Sequence, residues 1–66
     1  MNNLKAFRLS EGLSQDAMAR RLGITLSMYE KVERGIAGAS AAFMRRIKTA
    51  FPKANIDSIF FADKQQ

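Results

Sequence analysis

The chain contains no cysteine, no histidine and no tryptophan, and only one proline. The absence of cysteine rules out a disulfide framework, and the absence of both cysteine and histidine excludes a zinc finger or a similar soft-metal site. No stretch approaches the roughly 18 apolar residues of a membrane span, and none fits a signal peptide. We therefore expect a cytoplasmic protein without a bound metal, whose core must hold the fold alone.

The groups on which most enzymes depend are also scarce. There is no histidine, no cysteine nucleophile, no glycine-rich phosphate loop and no cluster of carboxylates. A domain of 66 residues buries only about 60% of the surface that its unfolded chain exposes, which leaves little room for a closed pocket. The composition argues against an enzyme, and we expect no cofactor.

Positive charge, in contrast, is abundant. The formal net charge is +5, and the sequence pI is about 10.3. No acidic residue lies between Arg34 and Asp57. This distribution favours a polyanion as the partner, although a basic face that only keeps the protein in solution is the alternative.

The stretch from Leu13 to Gly35 predicts two short helices joined by a tight turn. Ser14 is a suitable N-cap for a helix over residues 14–22, which Gly23 ends. Thr25 then caps a second helix over residues 25–34, which Gly35 ends. The turn is too short for antiparallel packing, so we expect the steep crossing of a helix-turn-helix, whose second helix enters a DNA major groove.

The rest of the chain completes an all-α, five-helix domain over residues 1–61. The first helix should cover about residues 3–11, with Asn2 or Asn3 as its cap. The fourth should run over residues 41–51, between the N-cap Ser40 and Pro52. A short fifth helix should start at Asn55. Residues 62–66 are expected to form a frayed tail.

Apolar residues at helical spacing predict which side of each helix faces the core. The expected core residues are Leu4, Phe7 and Leu9 in the first helix, Met18, Ala19 and Leu22 in the second, Met28, Tyr29, Val32 and Ile36 along the third, Phe43, Ile47, Ala50 and Phe51 in the fourth, and Ile56, Ile59 and Phe60 in the fifth. What remains on the outer face of the third helix is Leu26, Ser27, Glu30, Lys31 and Arg34.

The chain resembles the Cro and phage-repressor family, also called the xenobiotic-response-element family, from Leu4 to Phe61. This resemblance implies a compact repressor-like domain that binds duplex DNA. The matching residues are Arg8, Leu13, Ser14, Gln15, Ala19, Leu22, Gly23, Ile24, Tyr29, Glu33, Arg34 and Gly35, followed by Asn55, Ile56, Asp57, Ile59 and Phe60.

The resemblance implies a role for each residue of the outer face. Leu26, Ser27 and Lys31 match positions that read base edges, where lysine can donate to guanine and leucine can pack on a thymine methyl. An exposed Leu26 could instead contact a protein partner. Glu30 could accept from cytosine, or it could pair with Arg34 four residues later.

Other residues are expected to hold the DNA backbone or the fold. By resemblance, Gln15 contacts a phosphate and braces the third helix. The remaining candidates for phosphate contact are Thr25, Arg34, Ser40, Arg20 and Arg45. Arg8 lies on the same side of its helix as Leu4, and the resemblance implies an ion pair with Glu33. The alternative is an exposed Arg8 without a partner.

The loop after Gly35 departs from the family pattern. Relatives usually continue with a basic residue and a proline that grip the phosphate backbone, whereas this chain has Ile36, Ala37, Gly38 and Ala39. We therefore expect backbone N–H groups at the start of the fourth helix to replace those contacts.

These observations predict a sequence-specific regulator of transcription, repressor-like and of phage, plasmid or mobile-element type. We expect a weak homodimer through Phe61 and the last helix, because one recognition helix reads only a few base pairs. The alternative is an antitoxin or another interaction module on the same fold, which sequesters a protein partner through Leu26, Met28 or the Phe60 and Phe61 end.

Overall fold

The computed structural model describes residues 2–61, in which helices joined by turns and loops are present and no strand occurs. Its five helices confirm the predicted all-α architecture. The predicted tail, residues 62–66, lies outside the described residues. The helices are α1 (Leu4–Ser10), α2 (Gln15–Leu22), α3 (Leu26–Glu33), α4 (Ala41–Ala50) and α5 (Ile56–Phe60).

Polar side chains set the start of each helix. Four N-cap side chains accept a hydrogen bond from the backbone N–H three residues later, and these caps are Ser14, Thr25, Ser40 and Asn55. At α1 the side chain of Asn3 forms no cap, and Asn2 accepts from the N–H of Leu4 instead. Each cap satisfies a donor that the first helical turn would leave unpaired.

The core forms where α2 packs against α3 and α4, and where α1 packs against α5. Aromatic rings connect these pairs: Tyr29 stacks on Phe43, and Phe43 and Phe60 pack edge to face. The buried apolar residues are Leu4, Met18, Ala19, Leu22, Tyr29, Val32, Phe43, Ile47, Phe51, Ala54 and Ile59.

Three of the residues predicted to be in the core are exposed. Leu9 is 57% exposed because it lies five residues after Leu4, off the inward face. Met28 is 48% exposed, since it lies about 100° around α3 from Tyr29, on which the buried face is centred. Ile36 is 70% exposed because α3 ends at Glu33, so helical spacing no longer applies to it.

No helix in residues 2–61 has both the length and the apolar character needed to cross a membrane.

The turn between α2 and α3 depends on Gly23. This residue has a φ of +73°, in the left-handed region that side chains with a Cβ rarely adopt. A Cβ here would lie 3.0 Å from Nη1 of Arg46, the atom that donates a hydrogen bond to the carbonyl of Leu22. Both backbone conformation and space therefore favour glycine.

We predict that Gly23→Ala destabilises the domain by about 1–2 kcal/mol, the usual cost of left-handed backbone for a residue with a Cβ. Gly38→Ala is the matched control, because nothing lies within 4 Å of its would-be Cβ and its φ is not positive. The control should be neutral or slightly stabilising. Urea denaturation of both variants measures the difference, and equal stabilities would contradict the role of Gly23.

Candidate nucleic-acid interface

Helix α3 presents an exposed face along its length. Leu26, Ser27 and Lys31 are exposed, Glu30 is half-buried, and Arg34 is exposed just beyond the helix. Among residues 2–61, neither Lys31 nor Arg34 enters a salt bridge, so both cations are available to an external partner. The alternative in which Glu30 pairs with Arg34 is therefore not realised.

The opposite side of α3 is anchored by the carboxylate of Glu33. Arg8 donates from Nε to Oε2 at 2.9 Å and from Nη2 to Oε1 at 3.3 Å. Gln15 donates from Nε2 to Oε1 at 2.9 Å, and the Tyr29 hydroxyl donates to Oε2 at 2.5 Å. One carboxylate thus connects α1, α2 and α3. We call these four residues the Glu33 network.

The Glu33 network is shielded from water. The side chains of Arg8 and Glu33 are 8% and 5% exposed. Arg8 also donates from Nη1 to the carbonyl of Leu13 at 2.8 Å, which satisfies the side of the guanidinium that Glu33 does not reach. Arg8 and Glu33, the two residues predicted to pair, therefore form a buried salt bridge with further hydrogen bonds.

Burial and hydrogen bonding act in opposite directions on the pKa of Glu33. Burial alone would raise the pKa, but hydrogen bonds from Arg8, Tyr29 and Gln15 favour the ionised form and lower it overall. For Tyr29, burial and the hydrogen bond to Glu33 both raise the pKa. Near neutral pH the carboxylate is therefore ionised and the phenol keeps its proton.

Two of the predicted phosphate-contact residues, Thr25 and Ser40, act as helix caps. The Thr25 hydroxyl oxygen accepts from the N–H of Met28, and the Ser40 hydroxyl oxygen accepts from the N–H of Phe43, both at 3.1 Å. A hydroxyl can accept and donate at the same time, so each O–H hydrogen remains free for an external acceptor. Both hydroxyls lie beside a helix N-terminus, where the helix dipole favours an anion.

The other predicted phosphate-contact residues lie in different surroundings. Gln15 is half-buried and uses one amide hydrogen for Glu33, so the second remains. Arg20 forms an exposed salt bridge with Asp16 at 3.0 Å. Arg45 is exposed on α4. Arg20 and Arg45 both line a cleft between α2 and α4, and none of the residues that line this cleft belongs to α3.

Sequence reasoning missed several contacts that position these elements. Arg46 joins α4 to the end of α2 through the Leu22 carbonyl, at 2.9 Å. The guanidinium of Arg21 lies 4.9 Å from the centre of the Phe51 ring, a cation–π distance. These partners lie 24 to 30 residues apart, and no local pattern indicates them. Met28 is exposed, but it lies two positions after Leu26 and so on a different side of α3.

Comparison with known proteins adds one match. A family model described as helix-turn-helix matches residues 4–53, which contain α1 to α4. The matched segment includes the exposed face of α3 and all four residues of the Glu33 network. No curated protein and no solved structure matches the chain.

We predict that removing one partner of the buried salt bridge, in Arg8→Met or Glu33→Met, costs about 3–5 kcal/mol because it leaves an uncompensated charge. The double variant should cost less than the sum, with a coupling energy of about 2 kcal/mol or more. Chemical denaturation provides the double-mutant cycle.

The exposed pair Asp16 and Arg20 is the matched control. Their side chains are 56% and 79% exposed, so an equivalent cycle there should give no measurable coupling. Additive, small effects at Arg8 and Glu33 would show that the two do not interact energetically.

Proposed function

Because the chain belongs to the Cro/C1-type helix-turn-helix family, a family of DNA-binding proteins, we propose that it is a sequence-specific, repressor-like regulator of transcription. We further propose that it is of phage, plasmid or mobile-element type. Such a regulator works where the DNA is, which for this class is the cytoplasm. Its partner is double-stranded DNA.

One observation carries the proposal: the outer face of α3 is exposed and rich in hydrogen-bonding groups, while its inner face is fixed by the Glu33 network. A helix that reads bases must hold its side chains in a constant position, since each contact depends on the donor and acceptor pattern in the groove. The buried carboxylate and its three donors supply that constraint.

The proposed base contacts follow from the chemistry of the exposed side chains. Lys31 donates to guanine O6 and N7, and Ser27 donates to or accepts from a base edge. Glu30, which is not paired with Arg34, accepts from cytosine N4. Leu26 is 38% exposed at the start of α3, where it can pack on a thymine methyl.

The proposed phosphate contacts surround this reading face. Gln15 donates its second amide hydrogen, and the hydroxyls of Thr25 and Ser40 donate at the starts of α3 and α4. Arg34 supplies a positive charge at the end of α3. The loop from Ile36 to Ala39 has no basic side chain, so the N-terminus of α4 takes over the contact there.

The exposed surface favours DNA over a protein partner. Every lysine and arginine in residues 2–61 is exposed except Arg8. The exposed large apolar residues in the same range are few, and one of them, Leu26, lies on the reading face itself. Phe60, assigned to the alternative interaction surface, is half-buried and packs against Phe43. Sequestering a protein partner is therefore the less supported function.

We predict that Lys31→Ala reduces affinity for a selected duplex by about 1–3 kcal/mol and leaves affinity for a scrambled duplex much less changed, because a base contact is lost. The selected duplex carries a binding site that is first obtained by selection from random duplex DNA. Lys5→Ala, which removes an exposed lysine on α1, is the control and should leave the ratio of the two affinities unchanged. If Lys31→Ala weakens both duplexes equally, α3 does not read bases through this residue.

We also propose that the protein binds as a weak homodimer whose subunits meet through the end of α5. A symmetric dimer places two recognition helices about one helical turn apart, which gives the specificity that one helix lacks. Half-buried Phe61 lies here, at a shallow crevice of about 240 Å³ that also includes Phe60 and Met44.

We predict that sedimentation of the complex with a selected duplex gives two subunits per site, and that the site contains inverted half-sites about 10 base pairs apart. Dimerisation should be weak without DNA and should strengthen on it. One subunit per site, on a sequence without inverted symmetry, would rule out the dimer.

A further inference from the structure

A cleft lined by four arginines lies between the end of α2 and the length of α4. Its volume is about 630 Å³, and the arginines are Arg20, Arg21, Arg45 and Arg46. Thr49 adds a hydroxyl to the same cleft. All five residues are exposed, and none of the described residues that line the cleft is acidic. This is a concentrated positive surface outside the reading face of α3.

Contacts within the protein hold two of the four guanidiniums in place. Arg46 donates to the Leu22 carbonyl at 2.9 Å, and Arg21 lies over the Phe51 ring at 4.9 Å. Neither contact neutralises the positive charge. Arg20 is paired with Asp16, but both side chains are mostly exposed, so a stronger anion can replace the carboxylate at little cost. Arg45 forms no salt bridge within residues 2–61.

The cleft lies close along the chain to the start of the recognition helix. Gly23 lines the cleft, and Thr25 caps α3. Two residues of chain span at most about 7 Å, so the cleft begins close to the end of α3 that enters the groove. Gln15, the phosphate-contact candidate on α2, lies at the opposite end of that helix.

We propose that this arginine cleft binds the sugar-phosphate backbone of the duplex that flanks the site read by α3. The inference rests on the proposed function. An open cleft with several separated cations fits an extended polyanion better than a single small anion, and arginine forks match phosphate oxygens. The cleft would supply backbone contacts that the loop from Ile36 to Ala39 lacks.

The test compares two double variants that each lower the net charge by two. Arg20→Gln with Arg45→Gln alters the cleft and spares Arg21 and Arg46, which hold the fold. Lys5→Gln with Lys53→Gln is the control, since both lysines are exposed and neither lines the cleft. Affinity is measured as a function of salt on a selected duplex and a scrambled duplex, each with flanking DNA.

Each phosphate contact contributes about 0.9 to the slope of log affinity against log salt concentration. Without two such contacts, the cleft variant should have a slope that is smaller in magnitude by about 2 on both duplexes. Between about 50 and 200 mM salt, the parent protein should then lose roughly tenfold more affinity than the cleft variant. The control should keep the parental slope. When the flanks are removed, the parental slope should fall at least to that of the cleft variant, which keeps Arg21 and Arg46.

An unchanged slope for the cleft variant would overturn the proposal and leave an acidic protein as the occupant to test next. An equal loss of slope in the control would overturn it too, because the effect would then arise from net charge. Failure of the proposed function is detected separately, by comparing the affinities of the parent protein for the selected and the scrambled duplex. If the proposed function is wrong, the parent protein itself shows no preference for the selected duplex.

Discussion

The carboxylate of Glu33 lies inside the domain, and an ionised group there costs free energy unless it is paired and hydrogen-bonded. Three donors from three helices meet this requirement: Arg8 from α1, Gln15 from α2 and Tyr29 from α3. Since the carboxylate belongs to the last turn of α3, satisfying it fixes the rotation of that helix. The direction in which its exposed face points therefore depends on a buried charge as well as on the buried side chains of Tyr29 and Val32.

This constraint separates the surface into regions with different tasks. Side chains on the outer face of α3, such as Ser27 and Lys31, have no competing partner in the described chain and can meet base edges. Cap hydroxyls at Thr25 and Ser40 serve the fold and keep a hydrogen for an external acceptor. The arginines between α2 and α4 are held by contacts that leave their charge intact. Several of the groups that stabilise the helices are thus also the groups that we propose for DNA binding.

Much of the fold could be predicted from local sequence chemistry. Caps such as Ser14 and Ser40 act within a few residues, so the helix order and most helix bounds follow directly from the sequence. The periodicity of the sequence shows how the apolar residues are spaced, but not which side of the helix is centred on the core. For this reason it wrongly placed Met28 in the core. Nor could it place Ile36, which lies beyond the helix end. Long-range contacts such as that between Arg46 and Leu22 leave no local pattern at all.

The central claim is that the exposed face of α3, oriented by the Glu33 network, is the surface that meets duplex DNA. Amide chemical shifts of the full, isotopically labelled chain, recorded by NMR during titration with a random-sequence duplex at low salt, test this most directly. The account predicts that the largest shifts fall on Leu26 to Lys31, Gln15 and Ser40, with the amide of Lys5 on α1 unchanged. Shifts confined to α1 and α5, or none at all, would contradict it.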